Sequence, residues 1–259
     1  MSLQLAFDLP SGEAFRRADF FVSAANAQAL ALVEGWRAWP DGKLVLIGPE
    51  GAGKTHLAHV WAEIAAAEVI SADKLIEADL HDLARGPVAV ENADRIAGDR
   101  QAEVALFHLH NLLAGRGLLV TACSPPRDWR LGLPDLLSRM QAATVAQLEP
   151  PDDTLLSAVL IKLFADRQIA VPPNLIPYLV ARMDRSFAAA REWVKFLDAR
   201  ALALGRPVTR ALAAEVHDGL LTEGEAIAYA TRLMRENQLA CFDITGRRAA
   251  LLAATQRAG

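Results

Sequence analysis

The residues best suited to chemistry stand together in Gly48-Pro49-Glu50-Gly51-Ala52-Gly53-Lys54-Thr55-His56, directly after the apolar run Leu44-Val45-Leu46-Ile47. Their spacing fits G-x-x-x-x-G-K-[ST], the phosphate-binding loop. Glycines let backbone N–H groups close around a polyphosphate, the Lys54 ammonium neutralises its β and γ oxygens, and the Thr55 hydroxyl is placed to hold Mg²⁺. Residues from His56 to about Ala66 read as a helix whose N-terminal dipole faces the same anion. Strand, loop and helix come in the order the motif needs, so a chance glycine-rich turn is the weaker explanation. The ligand this predicts is ADP or ATP with Mg²⁺.

The elements that must position this loop follow from hydrophobic patterning. Apolar runs at 44–47, 68–70, 87–90, 117–121 and 143–148 alternate with helical patterns at 54–66, 99–115 and 134–140, which predicts a parallel sheet flanked by helices. From Pro151 the strand-like runs stop. Helices are predicted over 152–167, 173–182, 186–204 and 209–219, with Pro172-Pro173 opening the second and Gly205 closing the third. The expected organisation is a flexible leader over 1–19, an α/β nucleotide-binding domain over 20–150, a small all-α lid over 151–221, and a helical extension over 222–259. Self-association is one role open to that extension.

Composition sets outer bounds. The chain has 259 residues, 53% of them hydrophobic, enough to bury a substantial core. No run of about 18 uncharged apolar residues occurs, and no basic-then-apolar N-terminal segment, so a cytoplasmic protein with no membrane contact is expected. Cys123 and Cys241 are the two cysteines and lack metal-type spacing. A net charge of −4 offers nucleic acid no general attraction. The tryptophans, Trp36, Trp39, Trp61, Trp129 and Trp193, are most simply packing residues.

The phosphate loop with GKTHLAH (53–59), then ENADRIAGD (91–99), LLVTACSPP (118–126) and LPDLLSRM (133–140), resembles the AAA+ ATPase module of the bacterial replication initiator DnaA. The resemblance implies an α/β AAA+ P-loop fold followed by an all-α lid. Within that group the chain is most similar to the shorter Hda-type regulatory homologues. Residues 222–259 are too few for the initiator's helix-turn-helix domain and lack a basic recognition-helix pattern, so no direct sequence-specific DNA binding is expected. Gln4-Leu5-Ala6-Phe7-Asp8-Leu9 is similar to the peptide by which many bacterial replication proteins bind the DNA polymerase sliding clamp. In that reading Gln4 hydrogen-bonds at the mouth of a groove while Leu5, Phe7 and Leu9 fill apolar pockets. The alternative is an ordinary leader whose apolar residues pack on the domain.

The same resemblance assigns roles around the nucleotide. Glu91 takes the place of a metal-holding carboxylate, with Thr55, and stands about 1.5 Å farther out than an aspartate would. Asn92 takes the place of the acid that polarises the attacking water. An amide cannot accept that proton, and the general-base contribution it forgoes is typically ~10²–10⁴-fold. Should the strand end be shifted, Asp94 would be the working acid. Cys123 stands where a polar sensor aspartate is expected and Ala188 where the lid's sensor arginine belongs; Arg191 is the candidate substitute, or else a partner of Glu192 or Asp184. Phe21 and Val22 fall where such modules enclose adenine with main-chain contacts, or else belong to the core. Arg139, in Ser138-Arg139, matches the arginine finger that reaches into a neighbour's nucleotide site, an effect worth ~10³–10⁵ in rate. Its alternative is a pair with Asp135.

Together these imply a regulator of replication initiation. It would bind ADP or ATP, dock on the clamp, and stimulate hydrolysis of ATP held by DnaA while hydrolysing its own weakly. A self-sufficient ATPase of the helicase-loader type and a nucleotide-stabilised bridging module remain as rival readings.

Overall fold

The computed structural model describes residues 16–220 of the chain. The peptide carrying Gln4, Leu5, Phe7 and Leu9, and the extension 222–259 with Cys241, lie outside the described residues.

A five-stranded parallel sheet forms the centre, from β1 (Lys43–Ile47), β2 (Glu68–Ser71), β3 (Val88–Glu91), β4 (Leu118–Ala122) and β5 (Thr144–Gln147). The spatial order is β2-β3-β4-β1-β5, with every pairing parallel. Each strand falls on an apolar run read from the sequence. Strand residues alternate between faces, as the twofold strand period requires. Val45, Ile47, Val88, Val90, Leu118 and Val120 face one layer, α4 (Arg100–Leu112) and α5 (Pro134–Ala142), through Leu106, Leu109, Leu136 and Met140. Leu44, Leu46, Ala89, Leu119 and Ala146 face the other, α1 (Ala27–Glu34) and α2 (Lys54–Ala65), through Val33, Leu57, Val60 and Trp61. Trp61 is fully buried and stacks on Trp39 with centroids 5.3 Å apart. A single helical turn, α3 (Leu80–Leu83), follows β2.

The remaining helices, α6 (Asp153–Asp166), α7 (Leu175–Val180), α8 (Phe187–Leu204) and α9 (Arg210–Leu220), enclose a separate core around Leu160, Phe164, Leu179, Trp193, Leu197 and Leu212. Side chains cap several helices in the expected way. Asp152 accepts the Leu155 N–H at 2.8 Å and Ser186 the Ala189 N–H at 3.1 Å. The fold begins earlier than the sequence suggests. Arg17–Asp19 form a 3-10 turn, with Arg17 paired to Glu34 at 2.6 Å and Asp19 to Lys162 at 3.3 Å. The end of the segment read as a flexible leader is thereby packed on both units. Among the described residues no helix is long and apolar enough to cross a membrane.

At the end of the sheet away from the phosphate loop, Lys43 is buried and bonded to Asp41, and His110 lies 3% exposed among Asp41, Lys43, Asn111 and Arg139. Burial first, then Lys43, pushes the His110 imidazole down to about 4. Unfolding restores it to about 6.5, so below that pH the unfolded chain binds the extra proton and stability falls as pH drops from about 6.5 towards 4. Between pH 7 and 5 the loss is about 2 kcal/mol, or several degrees in Tm. His110→Gln should remove most of that decline; a variant with the wild-type decline would place its origin elsewhere.

Candidate nucleotide site

Because the strands are parallel, their C-terminal ends share one edge of the sheet, and the chemistry-bearing segments converge there. The phosphate loop leaves β1, Cys123 follows β4, and Glu91 ends β3 with Asn92 directly after it. The loop is a tight turn that leaves no room for a side chain at two of its glycines. A Cβ on Gly48 would lie 2.6 Å from the carbonyl oxygen of Leu148, the residue that follows β5, so no side chain fits there. Gly51 has φ +75° and a Cβ on it would lie 2.6 Å from the Ser186 Cβ, so positive φ and close approach both demand glycine.

Lys54 is 8% exposed, and its Nζ donates to the carbonyls of Gly48 at 2.7 Å and Pro49 at 2.9 Å, with Cys123 Sγ at 3.7 Å. Desolvation first raises the Cys123 thiol above its ordinary value; Lys54 opposes and Asp94 and Glu50 reinforce the rise. The thiol is thus neutral near pH 7 and leaves the lysine charge available to an anion. Thr55, one residue on, is exposed. Glu91 Oε1 is buried with no hydrogen-bond partner among the described residues. A buried, unpaired carboxylate oxygen is costly unless a cation or donor meets it, so Glu91 with Thr55 fits a site for Mg²⁺. Such an ion would neutralise phosphate charge.

Asn92 takes a left-handed conformation (φ 58°, ψ 42°), and its N–H donates to Thr121 Oγ1 at 3.1 Å. Asp94, the alternative acid, already has one use: its Oδ2 accepts the Cys123 N–H at 2.8 Å, while Oδ1 is buried without a partner. Glu50 of the loop pairs with Arg95 at 3.3 Å, an exposed contact of small energetic weight.

The pair Phe20-Phe21 divides between core and surface. Phe20 is buried and meets the His56 ring edge-on at 5.2 Å, and His56 Nε2 lies 3.3 Å from the Arg16 carbonyl. His56 is thereby built into the wall beside the loop. Phe21 and Val22 are exposed at 37% and 53%. The Phe21 carbonyl accepts from Asn26 Nδ2 at 2.8 Å, and Asn26 Oδ1 accepts the Ser23 N–H at 2.9 Å. Buried Asn26 therefore already uses one main-chain group expected to meet a base and fixes the shape of this segment.

The helical unit reaches the loop through the start of α8. The Phe187 N–H donates to the Gly51 carbonyl at 3.0 Å, and Phe187 Cε2 would sit 3.0 Å from a Cβ on Gly53. Ala188 lies in this first turn, half-buried, and Arg191 one turn on is exposed and engaged in an interaction of its own. Ser186, Phe187 and Asn26 carry no motif signal.

Arg139 is not at this edge. Leu136 and Met140 turn α5 onto the core, which leaves Ser138 and Arg139 exposed. The guanidinium lies near enough to Asp41 and His110 to lower both their pKa values, although the Lys43 hydrogen bond dominates for Asp41 and burial for His110. Asp41 precedes β1, at the opposite end of that strand from the phosphate loop. Among the described residues Arg139 makes no ion pair with Asp135.

The fold is the AAA+ fold seen in solved structures of DnaA and RuvB. Domain III of the replication initiation protein DnaA from Thermotoga maritima superposes with a TM-score of 0.68, at 19% identity, over 79% of this chain and 96% of that one. AMPPCP-bound DnaA from Aquifex aeolicus gives 0.58 at 16% identity, over 69% of this chain and 63% of that one. A RuvB variant from Thermotoga maritima gives 0.61 at 16% identity, over 91% and 83%. No protein-family profile matches the chain.

Proposed function

We propose that this protein is an Hda-type regulator: it binds ADP or ATP with Mg²⁺ in its own site, docks on the sliding clamp, and presents Arg139 to ATP held by the initiator DnaA. The observation that carries this is the separation of the two groups. The phosphate loop stands at the C-terminal edge of the sheet, while Arg139 is exposed near Asp41 at the other end of β1. An arginine so placed is turned away from its own loop and exposed where a partner could meet it, which supports the finger reading. The DnaA structure with bound AMPPCP has the same fold, which supports a nucleotide as ligand here. Gln4 to Leu9 supply the clamp anchor, and a cytoplasmic setting follows from such partners.

The test is clamp dependence. Initiator charged with ATP is mixed with this protein on DNA with and without loaded clamp, and hydrolysis is followed. Faster hydrolysis is expected with the clamp, and a Gln4→Ala/Leu5→Ala variant should lose both capture on clamp-loaded DNA and the added rate. Capture retained by that variant would reject residues 4–9 as the anchor.

A further inference from the structure

We infer that Glu103 is a positioning residue for Arg139, a reading that rests on the finger role just proposed. Glu103 sits in the first turn of α4 and is 1% exposed, a carboxylate in the core. Oε1 accepts the Gly98 N–H at 2.9 Å and the Gly132 N–H at 3.0 Å, and Oε2 accepts the Leu133 N–H at 2.7 Å. These donors come from two segments distant in sequence. Gly98 closes the stretch that begins at Glu91 and Asn92, and Leu133 is the residue from which α5 starts.

The start of α5 explains why a carboxylate is needed. Leu133 occupies the N-cap and has no side-chain acceptor to offer, and Pro134 follows. A helix start without a local cap leaves its first N–H groups to other partners. Glu103 supplies an acceptor from α4 for the N-cap N–H of Leu133 and the Gly132 N–H before it, and places its negative charge at the positive end of the α5 dipole. Charge-assisted bonds of this kind are short, directional and hard to replace, because losing the acceptor strands buried donors. The direction in which α5 leaves the loop, and hence where Arg139 points, is set by this carboxylate at the start of the helix together with the core packing of Leu136 and Met140. The same carboxylate ties α5 to the segment carrying Glu91, Asn92 and Asp94, so that segment and the finger helix share an anchor. The contact has no counterpart in motif spacing.

Glu103→Gln removes the charge and puts an N–H donor against at least one backbone N–H. In full-length protein the maximal stimulated hydrolysis rate of initiator-bound ATP, at saturating variant, should fall about tenfold to a hundredfold. Nucleotide affinity and clamp capture should stay near wild type, and a Glu103→Gln/Arg139→Ala double variant should be no slower than Arg139→Ala alone. Glu103→Asp, which keeps the charge, should recover part of the rate, whereas Gly132→Ala should behave as wild type because its Cβ would sit 3.6 Å from Glu103 Oε2. A Glu103→Gln protein with lowered Tm but an unchanged maximal rate would overturn the inference and leave the residue a structural cap. Should Glu103→Gln fail to fold, Glu103→Asp is judged by the same rate, with an unchanged value again overturning the inference. If wild type itself stimulates nothing, the function fails, and amide exchange decides the Glu103 link separately. Faster exchange confined to 98 and 132–139 supports it, and uniform loosening of the whole α/β unit refutes it.

Discussion

Arg139→Ala is expected to abolish stimulation of initiator-bound ATP hydrolysis, a loss on the order of 10³–10⁵, while leaving clamp capture and nucleotide binding intact. The size follows from what an arginine finger does. A planar guanidinium brought to the transferring phosphoryl group stabilises charge that exists only in the transition state, so its removal falls on rate rather than binding. The preserved functions follow from geometry. Arg139 is exposed on a helix whose core contacts are Leu136 and Met140, so truncation opens no cavity and leaves the sheet untouched. Arg139→Lys keeps the charge but loses the planar fork, and should recover little. Stimulation by Arg139→Ala equal to wild type would favour the bridging module.

Asn92→Asp should raise intrinsic single-turnover hydrolysis by about 10²–10⁴-fold by restoring a proton acceptor beside the metal-holding position. The backbone should tolerate this change. Asn92 is left-handed, a conformation that aspartate also adopts, and its N–H anchor on Thr121 involves no side-chain atom of its own. Asp94 is less free to serve as the base, since Oδ2 is already committed to the Cys123 N–H. An unchanged rate in Asn92→Asp would move the defect to the sensor positions, Cys123 or Ala188, or to incomplete closure of the α8 start over Gly51. Nucleotide binding should be nearly the same in both proteins, because the loop contacts of Lys54 do not involve residue 92.

What could be read from the sequence follows what periodicity and short motifs encode. The strands lie on near-continuous apolar runs because both faces of a parallel sheet are covered, and the loop declares itself through glycine spacing. Strand order was not legible, since β4 between β3 and β1 is a matter of long-range pairing. The split of Phe20 from Phe21 also escaped. Two adjacent phenylalanines look alike until Asn26 fixes the turn and sends one ring against His56 and the other to solvent. Glu103 shows the limit most clearly. On an amphipathic helix an acid near the N-terminus reads as a solvated dipole partner, yet the fold buries it to serve two distant loops, at Gly98 and at Gly132-Leu133. Contacts between a side chain and distant backbone leave no period, and the approach of Ser186 and Phe187 to Gly51 is of the same kind.

The most direct measurement is the decay of radiolabelled ATP pre-bound to the initiator, in a single turnover on clamp-loaded DNA, with this protein added or withheld and its own site filled with unlabelled ADP. A label that decays faster only when the protein is present would mean that a group from this chain acts on a partner's nucleotide, as the account predicts. Decay at the initiator's own rate, with the protein shown to be nucleotide-bound and seated on the clamp, would contradict it.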